Sequence, residues 1–221
     1  QMQDIMRDLQ MGGMTRHKAF GKTICAEDIY RPDNLFFANK KAPVDLPNMA
    51  VSILVDHSGS MCGERILQSM KAAILLHDFA TGIGIPVAVA GHTTGNGVRY
   101  IVYSDFDAYS DKDRFRLGEM SASGGNRDGA AIEIAASRLQ KRSEKIKMLI
   151  VISDGRPNDG NYYGKAAEED ITSIVAKYRR KNVEIIGAAI GSDRDAIARI
   201  YGEGFLDITD LSRLPKTLTA L

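Results

Sequence analysis

The sequence predicts a doubly wound α/β domain, a mainly parallel sheet of about six strands with helices on both faces, preceded by an extended N-terminal arm. Three observations carry this prediction. Short apolar runs recur at 50–55, 86–92, 147–153 and 183–190, and runs of that length bounded by turn residues read as strands buried on both faces. Between them lie segments whose apolar residues are spaced for one face of a helix. Helices alternating with buried strands give parallel sheets covered on both sides.

In chain order, residues 1–48 form the arm and 49–221 the domain. Met2, Ile5 and Leu9 suggest a short amphipathic helix ended by Gly12-Gly13. Residues 16–47 carry turn signals at Arg31-Pro32-Asp33 and Ala42-Pro43 and little helical period. Gly21-Lys22-Thr23 looks like the end of a phosphate-binding loop, but the glycine needed at position 16 is Arg.

The first domain strand, 50–55, stops at Asp56. A helix over 63–80 follows, with Ile66, Leu67, Met70, Ala73 and Ile74 on one face. Gly82-Ile83-Gly84 is a turn and not a dinucleotide fingerprint, because position 87 is Val. Strands at 86–92 and 98–103 flank a Gly-rich turn and read as a hairpin. Residues 105–120 read as irregular with a short helix, and 129–142 as a helix turning Ile132, Ala135, Ala136 and Leu139 inward. After the strand at 147–153, the stretch 155–165 reads as a long surface loop exposing Tyr162 and Tyr163. A helix at 168–181, a strand at 183–190, a helix at 193–201, a short strand at 205–208 and a closing helix at 211–221 complete the chain.

The composition is that of an ordinary globular protein, 44% apolar and 26% charged over 221 residues. A net charge of +1 argues against a general nucleic-acid surface. The longest apolar runs are far short of a membrane span. The chain opens Gln-Met-Gln-Asp, without a signal peptide, and is expected to be part of a longer polypeptide. Cys25 and Cys62 have neither metal-ligand spacing nor a disulfide framework, which suits a reducing cytoplasm. Cys62 reads as a small buried filler.

The chemistry gathers where strands end. Asp56, Ser58 and Ser60 follow the first strand at alternating positions, and open α/β sheets bind ligands beyond the carboxyl ends of their strands. A carboxylate and two hydroxyls are hard oxygen donors suited to Mg²⁺, Ca²⁺ or Mn²⁺. The same residue types also build turns and helix N-caps. A second buried strand, 147–153, likewise ends at an acid, Asp154, followed by Gly155. Turn statistics do not readily deliver two such carboxylates. His92 and Thr93, at another strand end, either line the rim or are solvated.

Asp-x-Ser-x-Ser after a first strand, with Asp-Gly after a later one, resembles the metal-ion-dependent adhesion site of von Willebrand factor A domains. The third element of that site, often Thr-x-x-Gly-x-Ala-Leu, is matched by Asn126-Arg127-Asp128-Gly129-Ala130-Ala131-Ile132, with Asn126 where the Thr usually stands. Within the superfamily this form resembles the carboxy-terminal domains of cobaltochelatase accessory subunits and nitric-oxide-reductase activation proteins. Ser153-Asp154-Gly155-Arg156-Pro157-Asn158-Asp159, Tyr163-Gly164, Glu169-Asp170, Ile200-Tyr201-Gly202 and Leu214-Pro215 carry that likeness, which runs from about Gly21 to the end.

The resemblance implies a divalent metal, Mg²⁺ or else Mn²⁺ or Ca²⁺, held by Asp56, Ser58, Ser60, Asp154 and Asn126 or Asp128. It implies an open metal position filled by an Asp or Glu of a partner protein. It also implies a non-catalytic module working with a MoxR-type AAA+ ATPase to activate, or load metal into, a client metalloenzyme. The alternative is a hydrolase using the same Mg²⁺ to activate water. Against it, the adjacent histidine, His57, is expected to point away from the metal. Extracellular adhesion fits less well, given the absent signal peptide and disulfides.

Overall fold

A computed structural model describes residues 14–30, 32–40, 48–107, 110, 112–155, 157–190 and 194–207. The helices expected before residue 14 and over 211–221 lie outside the described residues. The chain divides into two units, one comprising the segment to residue 47 with 82–84, the other 48–81 and 85–221.

In the first unit, strands β1 (Met14–Lys18), β2 (Thr23–Ile24) and β3 (Phe37–Lys40) form an antiparallel sheet in the order β1-β3-β2. The extended segment thus folds back on itself. Gly21 makes the close approach possible, because a Cβ there would lie 2.7 Å from the Ala38 carbonyl oxygen. Arg16 Nη1 donates to Glu27 Oε2 at 2.9 Å across this unit.

The second unit runs β4 (Met49–Asp56), α1 (Glu64–Gly82), β5 (Val87–Gly95), β6 (Gly97–Ser104), α2 (Asp113–Leu117), α3 (Asp128–Gln140), β7 (Ile146–Ser153), β8 (Asn158–Asp159), β9 (Tyr162–Tyr163), α4 (Gly164–Arg179), β10 (Glu184–Ala189), α5 (Arg194–Tyr201) and β11 (Phe205–Asp207). Among the described residues the main sheet has six strands in the order β11-β10-β7-β4-β5-β6. Every pairing is parallel except β5 with β6. This is the mainly parallel α/β sheet that the alternating pattern predicts.

Strand β4 is central, with β7 on one side and β5 on the other, and all of it past Met49 is buried. Its residues alternate between the faces. Ala50 and Leu54 join a cluster with Ala131, Ile132, Ala135 and Leu139 of α3 and Ile171 and Val175 of α4. Val51, Ile53 and Val55 are buried on the opposite face. The inward residues expected of α3 are all 1% exposed or less, and full burial of one such Leu or Ile contributes roughly 1.5–3 kcal/mol.

Four local expectations are corrected. The buried face of α1 comprises Ile66, Ser69, Ala72, Ala73, Leu76, His77 and Ala80, while Leu67 is 45% exposed. Ser69 and His77 can turn inward because Ser69 Oγ donates to the Arg65 carbonyl at 3.0 Å and His77 Nε2 lies 3.1 Å from Ser104 Oγ. Strand β5 continues through Thr93 and Thr94, where a turn is expected, because the Thr94 amide finds the Gly125 carbonyl at 3.1 Å. The expected loop 155–165 contains the β8–β9 hairpin, and α4 starts directly after it. Tyr163 is exposed there, but Tyr162 is half-buried, its hydroxyl donating to Asp170 Oδ2 at 2.7 Å. Cys62 is exposed and not buried, since it follows a single 3₁₀ turn and precedes Gly63, whose φ of +83° turns the chain into α1.

Candidate metal centre

Register brings the expected residues together. Val55 of β4 pairs with Ile152 of β7, and Asp56 with His92 of β5. Asp56 therefore ends β4 level with Ser153, and Asp154 follows one residue beyond. The Ser58 amide donates to Asp56 Oδ1 at 2.7 Å, the local bond by which an Asp stabilises a turn two residues on. The chain then makes one 3₁₀ turn, Gly59–Met61, which carries Ser60.

Two backbone bonds join this loop to the third motif, from the Gly59 amide to the Gly124 carbonyl at 2.9 Å and from the Ser123 amide to the His57 carbonyl at 2.6 Å. Gly124, at φ +75°, passes so close to Thr94 that a Cβ would overlap the Thr94 carbonyl oxygen. Only glycine satisfies both demands.

The side chains form one network. Ser58 and Ser60 share a hydrogen bond of 3.0 Å between their Oγ atoms, and Ser60 Oγ donates to Asp154 Oδ1 at 3.0 Å. Asp56 Oδ2 accepts from Asn126 Nδ2 at 2.7 Å and from Ser153 Oγ at 3.0 Å. Arg65 Nη1 donates to Asp154 Oδ2 at 2.6 Å and to the Ser60 carbonyl at 3.1 Å.

Asp128 is placed differently. It is buried at the start of α3, with Oδ1 at an ion-pair distance of 3.2 Å from His92 Nε2. The two atoms are close without being aligned as a hydrogen bond, and neither ring nitrogen of His92 has a hydrogen-bond partner among the described residues. Burial, with the Asp128 charge adding to it, raises the Asp56 carboxyl to about 6. Burial alone would lower the His92 imidazole, but Asp128 and then Asp56 outweigh it and raise it. His57 is held down to about 4 by burial and then by His92. Its side chain packs on Gly91 and lies beside Tyr103, with Nδ1 3.5 Å from the phenol oxygen.

The oxygen set fits a small divalent cation. Adjacent ligands of an octahedron with bonds of about 2.1 Å stand about 3.0 Å apart, which is the Ser58–Ser60 and Ser60–Asp154 spacing. Asn126 Oδ1 is buried and has no hydrogen-bond partner among the described residues, so one polar atom beside Asp56 awaits a donor or a cation. Among the described residues no three His, Cys, Asp or Glu side chains cluster as a metal site, so a cation here would depend on hydroxyls as much as on carboxylates. Ser58, Ser60, Asp56 and Asp154 could hold it, with Asn126 beside them and Asp128 one step further back.

Sequence reasoning missed two participants, Ser153 and Arg65, and did not foresee the burial of a third, His92. Ser153 stands next to Asp154 in the sequence and could have been suspected. His92, expected at the rim or solvated, is fully buried. Arg65 lies 89 positions from Asp154, and nothing local signals that pairing.

The sequence model of the von Willebrand factor type A domain matches residues 51–203. Protein NorD of Brucella suis is 29% identical over 189 residues, covering 79% of this chain and 29% of that protein. An uncharacterised Pseudomonas aeruginosa protein is 30% identical over 166 residues, covering 71% of this chain and 27% of its own length. The chain thus spans under a third of these relatives. Among solved structures, the PilB minor pilin of Streptococcus sanguinis superposes with a TM-score of 0.58 at 18% identity, over 83% of this chain and 62% of that one. Proximal thread matrix protein 1 of the mussel byssus gives 0.59 at 17%, over 78% and 46%. At those identities the likeness is one of fold.

Proposed function

We propose, for a chain that belongs to the von Willebrand factor type A family, that it is a non-catalytic, metal-dependent protein-interaction module of the NorD kind. Its role is to dock an acidic side chain of a partner, a MoxR-type AAA+ ATPase or a client metalloenzyme, in the course of activating that client or loading it with metal. Nitric-oxide reductase and a cobaltochelatase-like enzyme are the client classes, and the cytoplasm is the proposed setting.

The observation that carries this reading is the run of oxygens from Ser58 through Ser60 to Asp154 at 3.0 Å steps, with Asp56 locked behind them by Ser58, Asn126 and Ser153. Ser58, Ser60, Asp56 and Asp154 would hold Mg²⁺, Mn²⁺ or Ca²⁺, and a cation so bound supplies a Lewis-acid position for an incoming carboxylate. The protein's own part is to keep the ligands preorganised. The network fixes both serine hydroxyls and leaves neither carboxylate free to swing.

A hydrolytic reading would need a base at the cation. His57 is turned onto Gly91 and Tyr103, and His92 onto Asp128, an arrangement that favours docking over chemistry.

The test is affinity capture from the source lysate in Mg²⁺ and in EDTA, with the Ser58→Ala/Ser60→Ala double variant alongside. An AAA+ ATPase captured by the unaltered protein in Mg²⁺ alone supports the module. Equal capture by the double variant, or Mg²⁺-dependent phosphoesterase activity lost in it, would overturn the reading. Among the described residues no helix is long and apolar enough to cross a membrane, so a detergent-free lysate is the place to begin.

A further inference from the structure

Arg65 brings a permanent cation into a site otherwise suited to binding one. It sits in the first turn of α1, and its Nη1 touches Asp154 Oδ2 at 2.6 Å and the Ser60 carbonyl at 3.1 Å. The Asp154 side chain is 7% exposed and that of Arg65 41%. Half of the Asp154 carboxylate is therefore engaged by Ser60 and half by the guanidinium. A guanidinium stays charged throughout the pH range of a folded protein. Its hydrogen bonds to described residues are all made through Nη1, leaving Nε and Nη2 as further donors beside Ser60.

Charge counting gives this contact a meaning beyond a clip between α1 and the β7 end. Asp56 and Asp154 with Arg65 carry one net negative charge. A divalent cation would turn that into one net positive charge, which a carboxylate then cancels. Without Arg65 the two carboxylates would neutralise the cation by themselves, and an approaching carboxylate would meet no excess positive charge. Every other nearby charge, the Asp128–His92 pair included, is common to both cases. At separations of a few ångströms a unit charge changes such interactions severalfold even in a partly solvated site.

We propose, resting on the metal reading above, that Arg65 is a specificity-determining residue of this site. It weakens the site for a free divalent cation and makes the cation-loaded site selective for an acidic partner. Occupancy by metal and docking of a carboxylate are thereby coupled, each favouring the other.

The experiment is Mn²⁺ binding by isothermal titration calorimetry and by the electron paramagnetic resonance of free Mn²⁺. It uses the full chain, in chloride and in acetate at equal ionic strength. The variants are Arg65→Met, Arg65→Gln, which retains a donor for Asp154 without the charge, and Arg65→Lys. Loss of the charge in Met or Gln is expected to tighten Mn²⁺ at least fivefold. The same change is expected to shrink by at least threefold the extra tightening that acetate gives the unaltered protein. Lys is expected to stay near the unaltered protein in both.

A structural clip alone would not move the two readouts in opposite directions. Intact Mn²⁺ binding that Gln and Met leave unchanged or weaken, or an unchanged acetate effect, overturns the role of Arg65 while the metal reading stands. No Mn²⁺ binding at millimolar concentration by the unaltered protein or any variant overturns both.

Discussion

Asn126 and Asp56 meet through one hydrogen bond of 2.7 Å, Nδ2 to Oδ2, which leaves the buried Asn126 Oδ1 with no partner among the described residues. Where the family often has a short hydroxyl, this chain has an amide that donates to the carboxylate with one arm and holds an acceptor in reserve with the other. Asn126→Ala removes a donor from a buried carboxylate. The metal-free protein is expected to lose about 1–3 kcal/mol, read as a lower urea midpoint at unchanged slope. An unchanged midpoint would show that Ser153 and the Ser58 amide suffice for Asp56.

Divalent cations should stabilise the folded chain by mass action. At Mg²⁺ tenfold above its dissociation constant the gain is about 1.4 kcal/mol, a rise of a few degrees in the thermal midpoint that EDTA reverses. The Ser58→Ala/Ser60→Ala variant should fold and show no such rise. The same Mg²⁺ response in both proteins would place the cation elsewhere.

Gly91 and His57 allow a packing test. A Cβ at position 91 would overlap the imidazole of His57, so Gly91→Ala should lose about 1–3 kcal/mol by overpacking. In a His57→Ala background the added methyl has room, and the loss should largely vanish. A double-mutant cycle measures this as a coupling of about 0.5–3 kcal/mol. Additive losses would mean that the ring is not what the methyl meets.

Asp113 sets an acid limb. Burial by itself would raise its carboxyl, but Ser104 Oγ at 2.8 Å, the Ser110 amide and hydroxyl, and Arg116 outweigh burial and hold it below the ordinary carboxylate range. A depressed folded value contributes stability that is present above the unfolded value of about 3.9 and lost as pH falls through the folded one. Asp113→Asn should lower stability at neutral pH and flatten its fall below about pH 4, as followed by urea titration from pH 2.5 to 7. A variant whose acid limb parallels that of the unaltered protein would contradict this.

The framework was legible in the sequence because its signals are local. The runs at 50–55 and 149–153 are buried and each is followed by an acid, so strand identity, strand ends and the place of Asp56 and Asp154 came together. The α3 face was equally plain, since Ile132, Ala135, Ala136 and Leu139 repeat at helical spacing with Glu133, Ser137, Arg138 and Gln140 on the other side. The α1 face was misjudged by about one position. Leu67 outranks Ser69 and His77 in hydropathy, but Ser69 and His77 find internal partners that only the fold supplies. Long-range pairings were invisible for the same reason. His92 lies against Asp128, Arg65 is fixed by Asp154, and the 158–163 hairpin is anchored by the Asn126 amide bonding to the Asn158 carbonyl at 3.1 Å.

The central position of β4 has a kinetic consequence. Its backbone is hydrogen-bonded to β5 on one side and β7 on the other from Val51 to Val55, so its amide protons can exchange with deuterium only when the sheet itself opens. The loops of the site are rooted in the slowest-opening part of the chain, whereas edge strands β6 and β11 can fray independently of it. Fraying at either edge therefore leaves Asp56, at the end of β4, and Asp154, just past the end of β7, in register.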